Sequence, residues 1–148
     1  MQSEIIKNLD EMNIWANSFI EGLQKGLSKA FVVGLSGDLG SGKTTFVQSV
    51  AKVLGVEKYI TSPTFVIQKR YKIISDKIAF ENLIHIDAYR LERGDELLNL
   101  DWEEIIKNPK NIIFIEWPEK VSEILPKDMK KIEFRFIDEK TREIFYEE

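Results

Sequence analysis

"AFVVGLSGDLGSGKTTFVQSVAKVL", residues 30–54, carries three signals in a row. The apolar run from Ala30 to Ser36 reads as a buried strand. A glycine-rich turn, Gly37 to Gly42, follows it. From Lys43 onward the composition is helical, with Phe46, Val47, Val50 and Leu54 on one side and Gly55 as the stop. The turn with its first helical residues, Gly37-Asp38-Leu39-Gly40-Ser41-Gly42-Lys43-Thr44, fits G-x-x-x-x-G-K-[ST] in full. With average residue usage, a chain of this length matches that pattern by accident on the order of once in several hundred cases. Its position between a strand and a helix makes accident rarer still.

The chemistry of the pattern is phosphate binding. Glycines let backbone N–H groups turn inward and approach phosphate oxygens. The following helix aims its positive end at the same point. Lys43 has the reach for the β- and γ-phosphates, and the Thr44 hydroxyl is suited to ligate Mg²⁺. Guanine-specific relatives of such loops carry an Asn/Thr-Lys-x-Asp stretch, and none occurs here. The expected nucleotide is ATP.

Working outward, residues 9–25 show helical spacing, with Leu9, Met12, Ile14, Trp15, Phe19, Ile20 and Leu23 as one broad stripe and Gly22 and Gly26 framing its end. Residues 64–74 and 78–86 read as two strands, with "SDK" as a hairpin turn between them. Residues 94–107 read as one acidic helix, "NIIFIE" (111–116) as a buried strand, and "PEKVSEIL" as a short helix opened by Pro118. A second hairpin, "KIEFRFI" and "EIFYE" around "DEKT", closes the chain. No repeat, linker or low-complexity stretch interrupts it. The expected architecture is a single P-loop NTPase-like α/β domain over residues 1–148, in three layers, with a mixed sheet of parallel core and antiparallel additions.

Composition bounds the function. The 148 residues suit one core and can bury about 68–70% of the unfolded surface. There is no cysteine, which excludes disulfides, thiolate metal sites and cysteine nucleophiles. A net charge of −4 disfavours a protein built to grip a nucleic-acid backbone, and Lys69, Arg70 and Lys72 read as a solvated strand face. No apolar run reaches the ~20 residues needed to span a bilayer, and Met1 to Asp10 lacks the pattern of a signal peptide. The expected location is the cytoplasm.

Hydrolysis needs more than a cradle: a metal, an acid behind it and a group that positions water. Asp87 ends "NLIHID" and Glu116 ends "NIIFIE", both at the C-terminal edges of expected strands, where open α/β sheets place ligands. Either is suited to hold Mg²⁺ directly or through water. "TSPTF" (61–65) reads equally as a switch-like loop meeting the γ-phosphate or as a turn entering a strand. His85, the only histidine, reads first as a packed core residue and second as a catalyst. Trp117 reads first as core and second as a nucleotide or partner contact. The acids Asp95, Glu96, Asp101, Glu103 and Glu104 read as a solvated helix face.

Four motifs stand in order: "GDLGSGKTTF", "SPTF", "HIDAYRL" and "IEWPE". Together they resemble the bacterial TsaE family, also called YjeE, from about residue 10 to about 142. The resemblance implies a small P-loop ATPase needed for threonylcarbamoyladenosine synthesis at position 37 of tRNAs that read codons beginning with A. It implies ATP and Mg²⁺ as cofactors, and action on the TsaD–TsaB pair, with tRNA met only through that complex and no membrane. By motif match, Lys43 and Thr44 are the P-loop lysine and the metal-ligating threonine. Glu116 is the second metal ligand, Asp87 an acid that positions water or metal, and Thr64 the threonine of the switch-like loop. Trp117 lies beside the metal ligand, and Arg142 stands where the family has a late arginine near the nucleotide. The implied nucleotide-binding set is Asp38, Leu39, Gly40, Ser41, Gly42, Lys43, Thr44 and Thr45 with Asp87, Trp117 and Arg142. The departures are Met12, where the family often has a threonine, a longer segment before the first buried strand, and Asp101 where relatives tend to have glycine.

Two other readings fit a P-loop. One is a small-molecule kinase, although Arg90 and Arg93 are a thin basis for a phosphate lid. The other is a non-catalytic, nucleotide-gated interaction module.

Overall fold

A computed structural model describes residues 1–23, 27–57, 60, 68–76 and 78–147. The element order is β1 (Gln2–Ile6), α1 (Leu9–Glu21), β2 (Phe31–Ser36), α2 (Lys43–Leu54), β3 (Gln68–Lys72), β4 (Asn82–Asp87), α3 (Asp95–Leu98), α4 (Trp102–Lys107), β5 (Asn111–Glu116), a 3-10 segment (Pro118–Ile124), β6 (Lys130–Phe136) and β7 (Arg142–Tyr146). The strands form one sheet in the order β1-β7-β6-β2-β5-β4-β3. Strands β6, β2, β5 and β4 run parallel, and the pairs β1·β7, β6·β7 and β3·β4 run antiparallel. The mixed α/β architecture read from the sequence is therefore present.

Side-chain alternation sorts the strands into two faces. Val33 and Leu35 of β2, Ile112 and Phe114 of β5, and Leu83 of β4 pack with α1 and α2. Val32, Ile84, Ile86, Ile113 and Ile115 pack on the other face with Leu97, Trp102, Ile105 and Val121. The result is three layers, and the nucleotide-type loop lies at one edge of the middle one.

Helix α2 spans the residues its periodicity predicts, and Gly55, at φ 74°, stops it by returning its N–H to Ala51 and Lys52 carbonyls. Phe46 is fully buried and centres an aromatic cluster, 5.2 Å from Trp15, 5.6 Å from Phe19, 5.9 Å from Phe114 and 5.7 Å from Phe134. Three residues after Lys43, it anchors the first turn of α2 to the sheet and to α1. Burial of such a ring stabilises by about 2–3 kcal/mol.

Three expectations need correction, and one element was unforeseen. Helix α1 ends at Glu21, and Leu9 and Ile14 of its expected stripe are 53% and 67% exposed while Met12, Ala16 and Ile20 are buried. Its start is set by Asn8, whose side chain accepts from the Glu11 N–H at 2.9 Å. β3 and β4 do form a hairpin, but the ladder extends to Ile73 N–H and the Glu81 carbonyl at 2.8 Å, so the connection is wider than a tight "SDK" turn. The acidic helix is broken into α3 and α4 at Asp101, which adopts φ 63° and ψ 28°. Strand β1 was not expected: four of its five residues are exposed, and it is ordered by pairing with β7 rather than by its own pattern. Gly26, the first residues of the expected 64–74 strand, and the "TSPTF" loop with Thr64 lie outside the described residues.

Candidate functional site

The glycine-rich loop leaves β2 and enters α2 through three left-handed or otherwise restricted positions, Gly37 (φ 138°), Gly40 (φ 76°) and Gly42 (φ 109°). A Cβ on Gly37 would lie 2.4 Å from the Phe134 carbonyl oxygen, so β6 presses against the loop and only glycine fits. The loop closes on itself through Ser41 N–H to the Asp38 carbonyl at 3.1 Å, while Phe46 N–H to the Gly42 carbonyl at 2.9 Å starts the helix. Asp38, Leu39 and Gly40 form its exposed tip, Ser41 is buried, and Thr44 and Thr45 are half-buried. The Ser41 hydroxyl has no hydrogen-bond partner among the described residues.

Lys43 is buried at 4% exposure. Its ammonium donates to the Gly37 carbonyl and, at 3.1 Å, to that of Asp38. It also sits 4.2 Å from the centroid of the Trp117 ring. Burial lowers its pKa from the ordinary value, opposed by the charges of Glu116, Asp87, Glu119 and Asp38.

Strand parity brings the acids to the same face. Residues 83, 85 and 87 of β4 and 112, 114 and 116 of β5 point toward α2, and the register pairs Asp87 with Glu116. The buried Glu116 carboxylate accepts from the Thr44 hydroxyl at 3.0 and 3.1 Å. Its Oε2 also lies 2.5 Å from His85 Nε2. Asp87 accepts from the Tyr89 N–H at 3.0 Å, and partial burial raises its pKa from the ordinary value, with the Tyr89 amide opposing. Tyr89 packs on Trp117 at a tilt of 53°, with centroids 5.1 Å apart.

Trp117 holds φ 60° and ψ 51°, a left-handed conformation rare for a bulky residue. Its N–H bonds the Leu35 carbonyl at 3.1 Å, which ties the backbone beyond Glu116 to β2, the strand that feeds the loop.

The opposite wall comes from the last hairpin. Arg142 runs its side chain past Gly42, where a Cβ would meet its Cγ at 3.5 Å. Its guanidinium stacks on Phe136 at 4.7 Å and bonds the carbonyls of Asp138 and Thr141. Met12 is buried in the apolar core.

The structure thus gathers Lys43, Thr44, Asp87, Glu116, Trp117 and Arg142 around one loop. The sequence left His85 as mainly a core residue, and its contact with Glu116 was legible only by following parity along two strands at once. Tyr89 and Glu119 were not singled out. The donor set suits a hard divalent cation, since Thr44 and Glu116 offer hydroxyl and carboxylate oxygens side by side. Among the described residues no group of three or more His, Cys, Asp or Glu forms a self-sufficient metal cage. Phosphate and water oxygens would have to complete the coordination.

Comparison with known proteins finds relatives over most of the chain. Residues 6–144 match the family model described as Threonylcarbamoyl adenosine biosynthesis protein TsaE. A protein of Borreliella burgdorferi named tRNA threonylcarbamoyladenosine biosynthesis protein TsaE is 40% identical over 122 residues, 82% of each chain. Proteins of the same name from Streptomyces coelicolor and Bacillus subtilis are 40% and 36% identical, over 72% and 78% of this chain and 69% and 68% of theirs. The crystal structure of Bacillus subtilis YdiB superposes with a TM-score of 0.72 at 28% identity, covering 97% of this chain and 82% of that one. Carrying the P-loop, the strand-end acids and these relatives over most of its length, the chain belongs to the TsaE family.

Proposed function

We propose that this protein, as one domain over residues 1–148, binds and hydrolyses ATP with Mg²⁺ in the service of tRNA threonylcarbamoyladenosine synthesis. The reaction step it serves is carried by the TsaD–TsaB pair, with tRNA met through that complex in the cytoplasm. The observation that carries the reading is the convergence of Lys43, Thr44, Glu116 and Asp87 at one sheet edge. The names of the relatives point to the pathway.

In this reading, backbone N–H groups of Asp38 to Thr45 cradle the phosphates. Lys43 leaves its loop carbonyls for the phosphate oxygens. Thr44 and Glu116 hold Mg²⁺, which when bound supplies charge neutralisation at the transferring phosphate. Asp87 orients water, Trp117 covers the lysine side, Arg142 closes the side of Gly42, and Thr64 joins from its loop. The charge balance favours this assignment: Asp38, Asp87, Glu116 and Glu119 all act on the single Lys43 ammonium. A site so acidic needs a divalent cation before it accepts a polyphosphate. Among the described residues no helix is long and apolar enough to cross a membrane.

The test is Mg²⁺-dependent ATP hydrolysis, alone and with TsaB, TsaD and tRNA. Stimulation by the pair is expected, and Lys43→Ala should lower the stimulated rate about 100- to 1000-fold. Absence of stimulation, with ATP still bound, would leave the nucleotide-gated module. Phosphate transfer to a small acceptor would instead establish the kinase.

A further inference from the structure

The ring of His85 is fully buried, one strand away from Glu116 and two residues before Asp87. A carboxylate can only accept, so the short contact between His85 Nε2 and Glu116 Oε2, 2.5 Å, places the hydrogen on Nε2. The other ring nitrogen, Nδ1, has no hydrogen-bond partner among the described residues. An imidazole buried for packing alone has no need of this arrangement. A phenyl or isobutyl group fills comparable space without a desolvated nitrogen.

The consequence falls on Glu116. Its carboxylate is free to rotate about its last bond unless something distinguishes its two oxygens. Thr44 does not, because its hydroxyl lies 3.1 Å from Oε1 and 3.0 Å from Oε2. His85 does, because it engages Oε2 alone. We propose that His85 is a positioning residue that locks the Glu116 carboxylate through Oε2 and leaves Oε1 presented beside Thr44 for the Mg²⁺–nucleotide. The proposal rests on the reading of Thr44 and Glu116 as the metal-holding pair. It assigns His85 no contact with nucleotide or metal and no proton transfer.

Equilibrium binding of a non-hydrolysable ATP analogue, with Mg²⁺ and with EDTA, tests it. His85→Leu keeps bulk and removes the donor. His85→Gln returns an N–H donor at about the distance of Nε2. His85→Asn carries the same amide without the reach. The expected result for His85→Leu is binding with EDTA within about twofold of the parent, and binding with Mg²⁺ weakened about tenfold, the scale of an outer partner of a metal ligand. His85→Gln should recover most of that loss and His85→Asn should not. If His85→Leu does not give a melting transition, the Gln and Asn pair carries the comparison.

Equal Mg²⁺ enhancement in His85→Leu and the parent would overturn the proposal. So would a Gln variant no better than Asn, which would mark the ring as packing only. Glu116→Ala separates this failure from failure of the underlying reading. Loss of Mg²⁺ enhancement in Glu116→Ala with none lost in His85→Leu rejects only the role of His85. Enhancement retained in Glu116→Ala rejects the metal assignment and the proposal with it.

Discussion

Trp117 and Asp101 share an unusual backbone and a place at the start of a helix, but not their surroundings. Among the described residues they are the two non-glycine positions with positive φ, at 60° and 63°. Trp117 sits at the P-loop edge of the sheet, where its N–H is held by Leu35, its carbonyl accepts from Lys120 at 3.1 Å, and its ring contacts Lys43 and Tyr89. Asp101 sits between α3 and α4 with its side chain 70% exposed, 3.7 Å from Arg70 and making no capping hydrogen bond, while its carbonyl accepts from the Ile105 N–H at 3.0 Å. The left-handed conformation costs about 1–2 kcal/mol for an ordinary residue. At Trp117 the surroundings offset that cost with contacts that belong to the site. At Asp101 they do not, and the backbone there simply has to turn so that Leu97 and Trp102 can both reach the core. The same strained backbone carries a ring packed on two neighbours beside the P-loop at Trp117 and a surface connection with one exposed ion pair at Asp101.

Substitutions can break or sharpen this contrast. The largest effect is expected at the loop itself. Gly37→Ala forces a Cβ to 2.4 Å from the Phe134 carbonyl oxygen, at a φ of 138° that L-residues rarely adopt. It should cost about 2–5 kcal/mol in denaturant unfolding. A normal unfolding midpoint would show that β6 yields, and that the loop is less fixed than Trp117 requires.

Next come the paired glycine substitutions. Trp117→Gly relieves the backbone but removes a ring packed on Lys43 and Tyr89, so it should destabilise by about 1–2 kcal/mol net. Asp101→Gly relieves the same conformation and loses little, so it should stabilise by about 0.5 kcal/mol, since glycine's added freedom in the unfolded chain takes back part of the gain. Unfolding curves of the two should move in opposite directions. Shifts of the same sign would remove the distinction.

The smallest effect is a pH dependence. Burial raises the Asp87 pKa above its ordinary 3.8, so between that value and the folded one the native state binds more protons than the unfolded chain. Asp87 therefore lowers the stability of the nucleotide-free protein as pH rises through that window. Asp87→Asn should raise the melting temperature near pH 7 by a degree or two, and the difference should vanish below the usual carboxylate range. Equal shifts at both pH values would trace the effect to packing.

How much was legible follows from where each feature is decided. The β2–loop–α2 unit is local: glycines, a lysine and a helical stripe within residues 30–54 specify it, and α2 begins and ends where they say. Asp87 and Glu116 were legible as strand-end acids, but the contact of Glu116 with Thr44 and its pairing with Asp87 depend on the β2·β5·β4 order, which sequence spacing does not encode. The α3–α4 break was missed because Asp101 gives no glycine signal at a position that adopts a glycine conformation. Strand β1 was missed because an exposed edge strand needs no apolar alternation.

The rung Ile6–Arg142–Phe136 crosses three strands, and its middle member lies against Gly42. The outermost strand is thereby linked, through β7, to the phosphate loop. Whatever steadies Arg142 steadies the hydrogen bonds between β7 and β1. If the loop takes up nucleotide as proposed, amide exchange along Gln2–Ile6 should slow on its addition, a gauge read without a label anywhere near the site.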